Sequence, residues 1–302
     1  MTAAQKVYAY IFSPTTMEGN MLERGPNVRQ RKVARSLRKW RKEKGQTLAE
    51  VTTPLRWSES KLSRFERAET IAGPAEIIAI ATILRIDEAQ RDSIVGLAAA
   101  DQVAPWWRSL TPEAAMGCFE DYVELEAEAA EIQNFETHLI PGLLQTEDYT
   151  RKILQTTLPA PKHEVIADRI RLRAERQSRL VNKNPLALNV VIHEMALRVP
   201  VAGAVAMREQ IRHLIKSSLQ SNINVRVLPL NTGAFPGIGT SFNLVHLDAA
   251  DTSVAYLDTL TGGLFVEDDD DVYAYRLTFD RLNEMALSSE DSVRLLEGIG
   301  VS

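Results

Sequence analysis

At 302 residues, with 45% hydrophobic and 25% charged residues, the chain has the composition of an ordinary globular protein and the length of two domains. A single cysteine, Cys118, excludes an intramolecular disulfide and a cysteine-built zinc site, and fits a reducing, cytoplasmic compartment. The net charge of −5 is uneven: residues 24–67 hold fourteen Lys or Arg and four acids, a net +10, leaving −15 on the remainder.

Residues 1–27 show no sustained period and read as a flexible leader with one short extended piece at 7–12 (VYAYIF). That piece is too short for a membrane span and lacks the apolar core and cleavage site of a secretory signal. No other apolar run approaches the length of a span, about twenty residues, so no membrane partner is expected. From Val28 the spacing turns helical: Val33, Leu37 and Trp40 recur at four and three residues until Gly45 stops the run. Thr47 with Glu50 forms a capping box for a short second helix, which Pro54 should end or bend early. Ser58 caps a third helix over WSESKLSRFER. Gly73 and Pro74 start a fourth, through Leu84, with Ile77, Ile78, Ala81 and Leu84 on its apolar stripe. Asp87 with Gln90 starts a fifth, to about Ala100. These helices predict one compact all-α unit over residues 28–104.

Residues 105–118, with Pro105, Pro112 and the paired Trp106 and Trp107, read as a linker. Residues 119–302 read as an α+β domain with a mixed sheet. Helical stretches are expected at 120–134, 145–156, 162–182 and 203–221. Strands are expected at 186–192 (LALNVVI), 223–229 (INVRVLP), 242–247 (FNLVHL), 254–259 (VAYLDT) and 264–267 (LFVE). From Asp271 the chain returns to helix until near Gly298. The sheet should hold about four or five strands.

The third helix is the informative one. Only Leu62 and Phe65 are apolar, so it pins to the core by a narrow edge and turns Ser58, Glu59, Ser60, Lys61, Arg64 and Arg67 outward. A short helix, a turn and a second helix after a basic first helix have the spacing of a helix-turn-helix. A major groove accepts a helix of this diameter, and such side chains bond base edges or phosphates, while the helix N-terminus favours a phosphate. The bland alternative is a solvated amphipathic helix; the +10 window and the five-helix frame favour DNA.

LRKWRKEKGQTLAEV and LRWSESKLSRFERAE together resemble the xenobiotic-response-element type of helix-turn-helix, of the lambda repressor kind. The resemblance implies that Thr47 caps the second helix, that Trp57 and Ser58 form the turn into the recognition helix, and that Ser63 and Glu66 match an S-x-x-E near its end. Glu66 would then be structural, paired with Arg38 or Arg41 of the first helix. Thr52 stands where the family usually has alanine, Arg56 where it often has glycine, Leu48 where a phosphate-binding glutamine is common, and Pro54 falls inside the second helix. The segments EIQNFETHLIPGLLQTEDYTRKIL, RIRLRAERQSRL, HEMALR, REQIRHL and NVRVLPLNTGAFPGIGTSFNLV are similar to an actinobacterial regulator family. In it this helix-turn-helix precedes a DUF5753 domain, and the WhiJ-like regulators of Streptomyces are its best-known members. What the likeness implies is transcriptional control, often beside a small neighbour-encoded partner protein.

Other constellations carry little chemistry. Among His138, His163, His193, His213 and His246 there is no H-E-x-x-H, and no metal or cofactor is expected. GIGTSF lacks the lysine and third glycine of a phosphate loop. The acidic run at 267–271 lacks calcium-loop spacing and suits a hairpin or a helix N-terminus. Arg169, Arg171, Arg173, Arg176 and Arg179 punctuate one helix and should pair with the acidic body. Pro141, Gly142, Leu143 and Leu144, and Phe235 with Pro236, either border a small-molecule pocket or close the core as buried loops.

The expectation is therefore a sequence-specific, non-enzymatic transcription regulator, a repressor-type homodimer on double-stranded operator DNA. Thr47, Ser58, Glu59, Ser60, Lys61 and Arg64 belong to its DNA-facing set, with Arg56 and Arg67 on the backbone. The carboxyl domain would dimerise or sense a small-molecule effector. The alternative is an antitoxin-like interaction protein that grips a small neighbour-encoded protein and autoregulates.

Overall fold

A computed structural model describes residues 26–99, 110, 111, 114, 118–157, 160–247, 252–260 and 262–301. The chain divides after Ala99 into two compact units. Most of the expected leader and linker lies outside the described residues.

Among the described residues the first unit holds five helices: α1 (Val28–Glu43), α2 (Leu48–Leu55), α3 (Glu59–Glu66), α4 (Pro74–Leu84) and α5 (Glu88–Ala99). Asn27 and Gln30 close α1 with a reciprocal capping box, each side chain accepting from the other's backbone N–H at 2.9 Å. At its other end Gly45 takes φ +63°, and the Gly45 and Gln46 N–H groups donate to Lys42 and Arg41 oxygens, a Schellman ending. Pro54 does not end α2 early. The helix runs one residue further, because so near the carboxyl end the proline removes a single ladder bond. Gly73 precedes α4 with Pro74 in the first turn, as expected. On α4 the buried stripe is Ile77, Ile80, Ala81 and Leu84, and Ile78 is 43% exposed. Ile80 replaces Ile78 because it lies three residues from Ile77 on the same side of the helix. Asp87 Oδ1 accepts from Ala89 N, two residues on, without the expected Gln90 box. Leu37, Val51, Leu62, Ile77 and Ile80 meet at the centre, each essentially inaccessible.

The second unit contains α6 (Cys118–Glu128), β1 (Glu131–Glu136), α7 (Glu147–Thr156), α8 (His163–Ser178), β2 (Ala187–His193), α9 (Glu194–Arg198), α10 (Ala204–Ser217), β3 (Ile223–Leu228), β4 (Phe242–Leu247), β5 (Thr252–Thr259), β6 (Gly262–Val266), α11 (Asp269–Met285) and α12 (Ser289–Val301). The fold is α+β with a mixed sheet of six strands in the order β3-β2-β1-β4-β5-β6. β1, β2 and β3 run parallel, and β4, β5 and β6 join antiparallel.

The expected helix at 120–134 is corrected: it stops at Glu128, and β1 follows as a central strand. Only Ile132 and Phe135 are apolar in EIQNFE, so the segment lacks the run that marks a buried strand. The carboxyl-terminal helix is likewise two helices, broken where the Ser288 hydroxyl accepts from Asp291 N at 3.1 Å and starts α12. The turn between α11 and α12 seals the β3 edge: Leu287 N donates to Val227 O, and Val227 N donates to Ser292 Oγ. Of the segment read as a linker, Leu110 and Ala114 pack with Val123 and Leu172, and Thr111 N donates to Asp168 at 2.8 Å.

Phe135, Val191, Leu228 and Phe242 pack on Phe279 and Leu282 of α11 and on Ala286 just beyond it to form an apolar core on one sheet face. On the other face Glu126 and Arg176 form a two-pronged pair at 2.6 and 2.7 Å, with side chains 2% and 8% exposed. Arg176 also lies 5.2 and 5.5 Å from the Phe119 and Tyr122 rings, and Tyr122 stacks on Tyr256 at 4.3 Å. Glu126→Gln strands a buried guanidinium and should cost about 3–5 kcal/mol. The double change Glu126→Met with Arg176→Leu should cost far less, and urea denaturation of the three proteins measures the difference.

Candidate nucleic-acid interface

Thr47 Oγ1 accepts from Glu50 N at 3.2 Å and Glu50 Oε2 accepts from Thr47 N at 2.7 Å, so the capping box of α2 forms. The two Thr47 bonds hold the Glu50 carboxyl below its ordinary range. Thr47 is therefore occupied as a cap. Thr52, at the position where alanine is usual, is buried, and its hydroxyl donates to Leu48 O at 2.9 Å. The hydroxyl is satisfied within its own helix, which is why the site tolerates it.

Arg56 ends α2 at φ +54°, with Trp57 N donating to Thr52 O at 3.0 Å. This is the left-handed position that favours glycine, which accounts for glycine in the resembled family. Trp57 then packs edge-on against Phe65 at 6.2 Å. Ser58 Oγ accepts from Lys61 N at 3.2 Å and starts α3. Leu62 and Phe65 are buried, while Ser58, Glu59, Ser60, Arg64 and Arg67 are exposed.

Lys61 sits differently from its expected outward pose. Its ammonium lies 4.1 Å from the Trp57 ring centroid and 3.6 Å from Glu76. Arg67 donates to Ser63 O and pairs with Glu69 at 3.2 Å. Arg56 and Arg64 form no ion pair among the described residues.

The Glu66 pairing falls to Arg41, not Arg38. Arg41 Nε and Nη2 each donate to a Glu66 oxygen at 2.6 Å, and Nη1 donates to Gln46 O at 3.0 Å. Arg38 is exposed and stands outside this fork. Arg41 faces α3 because it precedes the Schellman turn by one helical turn, whereas Arg38 projects one turn earlier.

In the second unit Leu143 and Leu144 are buried in a short turn (Gly142–Leu144), Pro141 is buried and Gly142 half-buried. The turn is tied by Gln145 Nε2 to Ile140 O, Gln210 Nε2 to Leu144 O and Gln177 Nε2 to Gln145 O, each at 2.7 Å. Phe235 and Pro236 are half-buried, with the Phe235 ring 5.9 Å from Phe135 and 5.2 Å from His193. The two loops lie on opposite faces of the sheet, since Gly142 meets Arg173 of α8 and Phe235 meets the Phe135 face. The acidic run caps and opens α11, where carboxylates suit the helix dipole.

Sequence reasoning passed over Glu136, the last residue of β1. Burial is the main cause that pushes its carboxyl up to about 7, partly offset by the polar side chains of Ser241 and Asn134 nearby. The alternation that places it beside Asn134 on one face was the available signal.

A five-helix unit with a capped second helix and an exposed polar third helix defines a helix-turn-helix DNA-binding regulator, here joined to a mixed-sheet α+β domain. Residues 32–94 match the family described as a helix-turn-helix domain. Residues 119–298, more than half of the chain, match the domain of unknown function DUF5753, and the chain belongs to that family. No similar curated protein and no similar solved structure was found. No described helix is long and apolar enough to cross a membrane.

Two outcomes are expected. Arg56→Gly should stabilise the first unit by about 0.5–1 kcal/mol by relieving the left-handed backbone. The same change should weaken DNA binding at low salt, so thermal denaturation and DNA titration should move in opposite directions. For Glu136 the sign follows from a folded pKa above the unfolded one. The native state holds the proton while the unfolded state loses it, so stability falls between about pH 4.5 and 7 and levels off above. Glu136→Gln should remove that fall, and its advantage in melting temperature over the wild type should grow from pH 5 to pH 8.

Proposed function

We propose that the first unit reads duplex DNA in a sequence-specific manner, with the exposed face of α3 in the major groove and two copies of the chain on two half-sites. One such module makes too few contacts for useful discrimination, which supports a homodimer. The observation that carries the reading is Arg64: exposed on α3, unpaired among the described residues, and on a helix whose apolar anchors are Leu62 and Phe65. Arg64 and Ser60 take the base edges, Ser58 and Glu59 the entry of the helix, and Arg56 and Arg67 the phosphates. Lys61 reaches DNA only by leaving Trp57 and Glu76, a rearrangement of about 1 kcal/mol.

The second unit decides when DNA is bound, by sensing a small molecule or by holding the dimer, and the protein is a regulator without an enzymatic activity of its own. An antitoxin-like role is favoured by the net −15 outside the basic window, which suits a basic partner protein. Co-purification with a neighbour-encoded protein distinguishes it from sensing.

On an operator selected from random duplexes, Arg64→Ala should lose about 1–3 kcal/mol and relax preference at one position. Arg67→Ala should lower the salt slope by about one without changing preference. Equal loss for Arg64→Ala on operator and random DNA would remove it from the readout.

A further inference from the structure

The polar side chains of α3 fall on two sides of the helix. Ser60, Arg64 and Arg67 recur at four and three residues and are all exposed. Trp57, Lys61 and Phe65 recur at four residues on a different side, the one that carries the buried Phe65. One residue of helix, a rotation of about 100°, separates Lys61 from Ser60. The lysine stem therefore rises from the inward flank of α3, and two aromatic rings hold it there. The ammonium lies 4.1 Å from the Trp57 centroid and 5.4 Å from that of Phe65.

Glu76 closes this arrangement from a second helix. It stands in the first turn of α4, where the helix dipole favours a carboxylate. Gly73 gives α4 no side-chain cap, and a Cβ on it would stand 3.2 Å from Glu76 Oε2, so the glycine leaves the carboxylate room. The other oxygen, Oε1, lies 3.6 Å from the Lys61 ammonium. The two side chains are 35% and 32% exposed, so the ion pair is weak by itself. Rings and carboxylate together favour the held pose by about threefold to thirtyfold.

A loose ammonium on the first turn of a DNA-facing helix works against discrimination. A phosphate contact carries no sequence information, and binding to random duplex is almost wholly phosphate neutralisation. On an operator, the base contacts of Arg64 and Ser60 fix the rotation of α3 and leave Lys61 facing α4. On random DNA no base contact fixes the pose, and a free lysine finds a phosphate in many of them. Selectivity is the difference between these two affinities, so restraining Lys61 lowers the second and spares the first.

We propose that Glu76 is a specificity-determining residue of the DNA-binding unit: by holding Lys61 over Trp57 it withholds one cation from sequence-blind binding. The proposal rests on the reading of α3 as the DNA-facing helix, and it names a residue outside that helix that sets its selectivity.

The test is a titration of the full chain with a selected operator and with a random duplex of equal length, at several salt concentrations. Glu76→Gln should tighten binding to the random duplex by about threefold and steepen its salt slope by about 0.9, the share of one phosphate. Operator affinity should change by less than about twofold, so the operator-to-random ratio should fall. Glu76→Gln combined with Lys61→Met removes both charges together and should return random-duplex affinity and slope to the wild-type values. Both side chains are partly exposed, and unchanged melting temperatures are expected for the two variants. The proposal is overturned if Glu76→Gln leaves random-duplex binding unchanged, or if it tightens operator and random duplex alike. It is also overturned if the double variant binds random duplex as tightly as the single one, which would assign the effect to the repulsion of phosphate by the carboxylate itself. A wild-type chain that binds no duplex sinks the reading of α3 and this inference with it. Selective binding by the wild type together with any of the three contrary outcomes sinks this inference alone.

Discussion

The fork between Arg41 and Glu66 fixes the pose of the helix that faces DNA. With only Leu62 and Phe65 in the core, α3 has too narrow an apolar edge to set its own rotation. The guanidinium grips Glu66 with two bonds and the Gln46 carbonyl with a third, tying α1, the turn after it and the end of α3 into one unit. A planar donor fork restricts orientation as well as distance, which a single lysine contact would not. The Trp57 ring closes the other end of α3 against Phe65. Pinned at both ends, the helix leaves its outer face polar at no cost to the core.

The first unit was legible because its signals are local. Caps at Thr47, Ser58 and Gly73 and the stop at Gly45 act within a few residues, and each falls where the chain places it. The misplaced details were those that depend on distant neighbours. Lys61 looked free until the fold brought Glu76 beside it, and Arg38 and Arg41 were equivalent until helix rotation chose between them.

The second unit was legible at its edges and hidden at its centre. Strands β2 to β6 carry runs of Val, Ile, Leu and Phe and were found close to their ends. β1, one of the two central strands, was taken for helix because its three buried residues, Ile132, Asn134 and Phe135, include a polar one and make no apolar run. The Asn134 Nδ2 group donates across the sheet to the Phe242 carbonyl and to Asn243 Oδ1, residues over a hundred positions away, so nothing in EIQNFE announces a strand.

Backbone strain tells a parallel story at the helix ends. Arg56, Ala68 and Arg85 all sit at positive φ, where glycine would relieve about 1 kcal/mol each. A uniform preference for stability would place glycine at all three. Arg85 and Ala68 have no role in the proposed DNA contacts, so the strain at those two ends has no functional account. Arg56 differs, because it places an unpaired cation on the turn into the DNA-facing helix. There a guanidinium for a phosphate and a relaxed backbone are mutually exclusive, since glycine has no side chain to offer. Where a position is strained and charged at the interface, the strain is the physical cost of the charge; where it is strained elsewhere, geometry alone gives no reason.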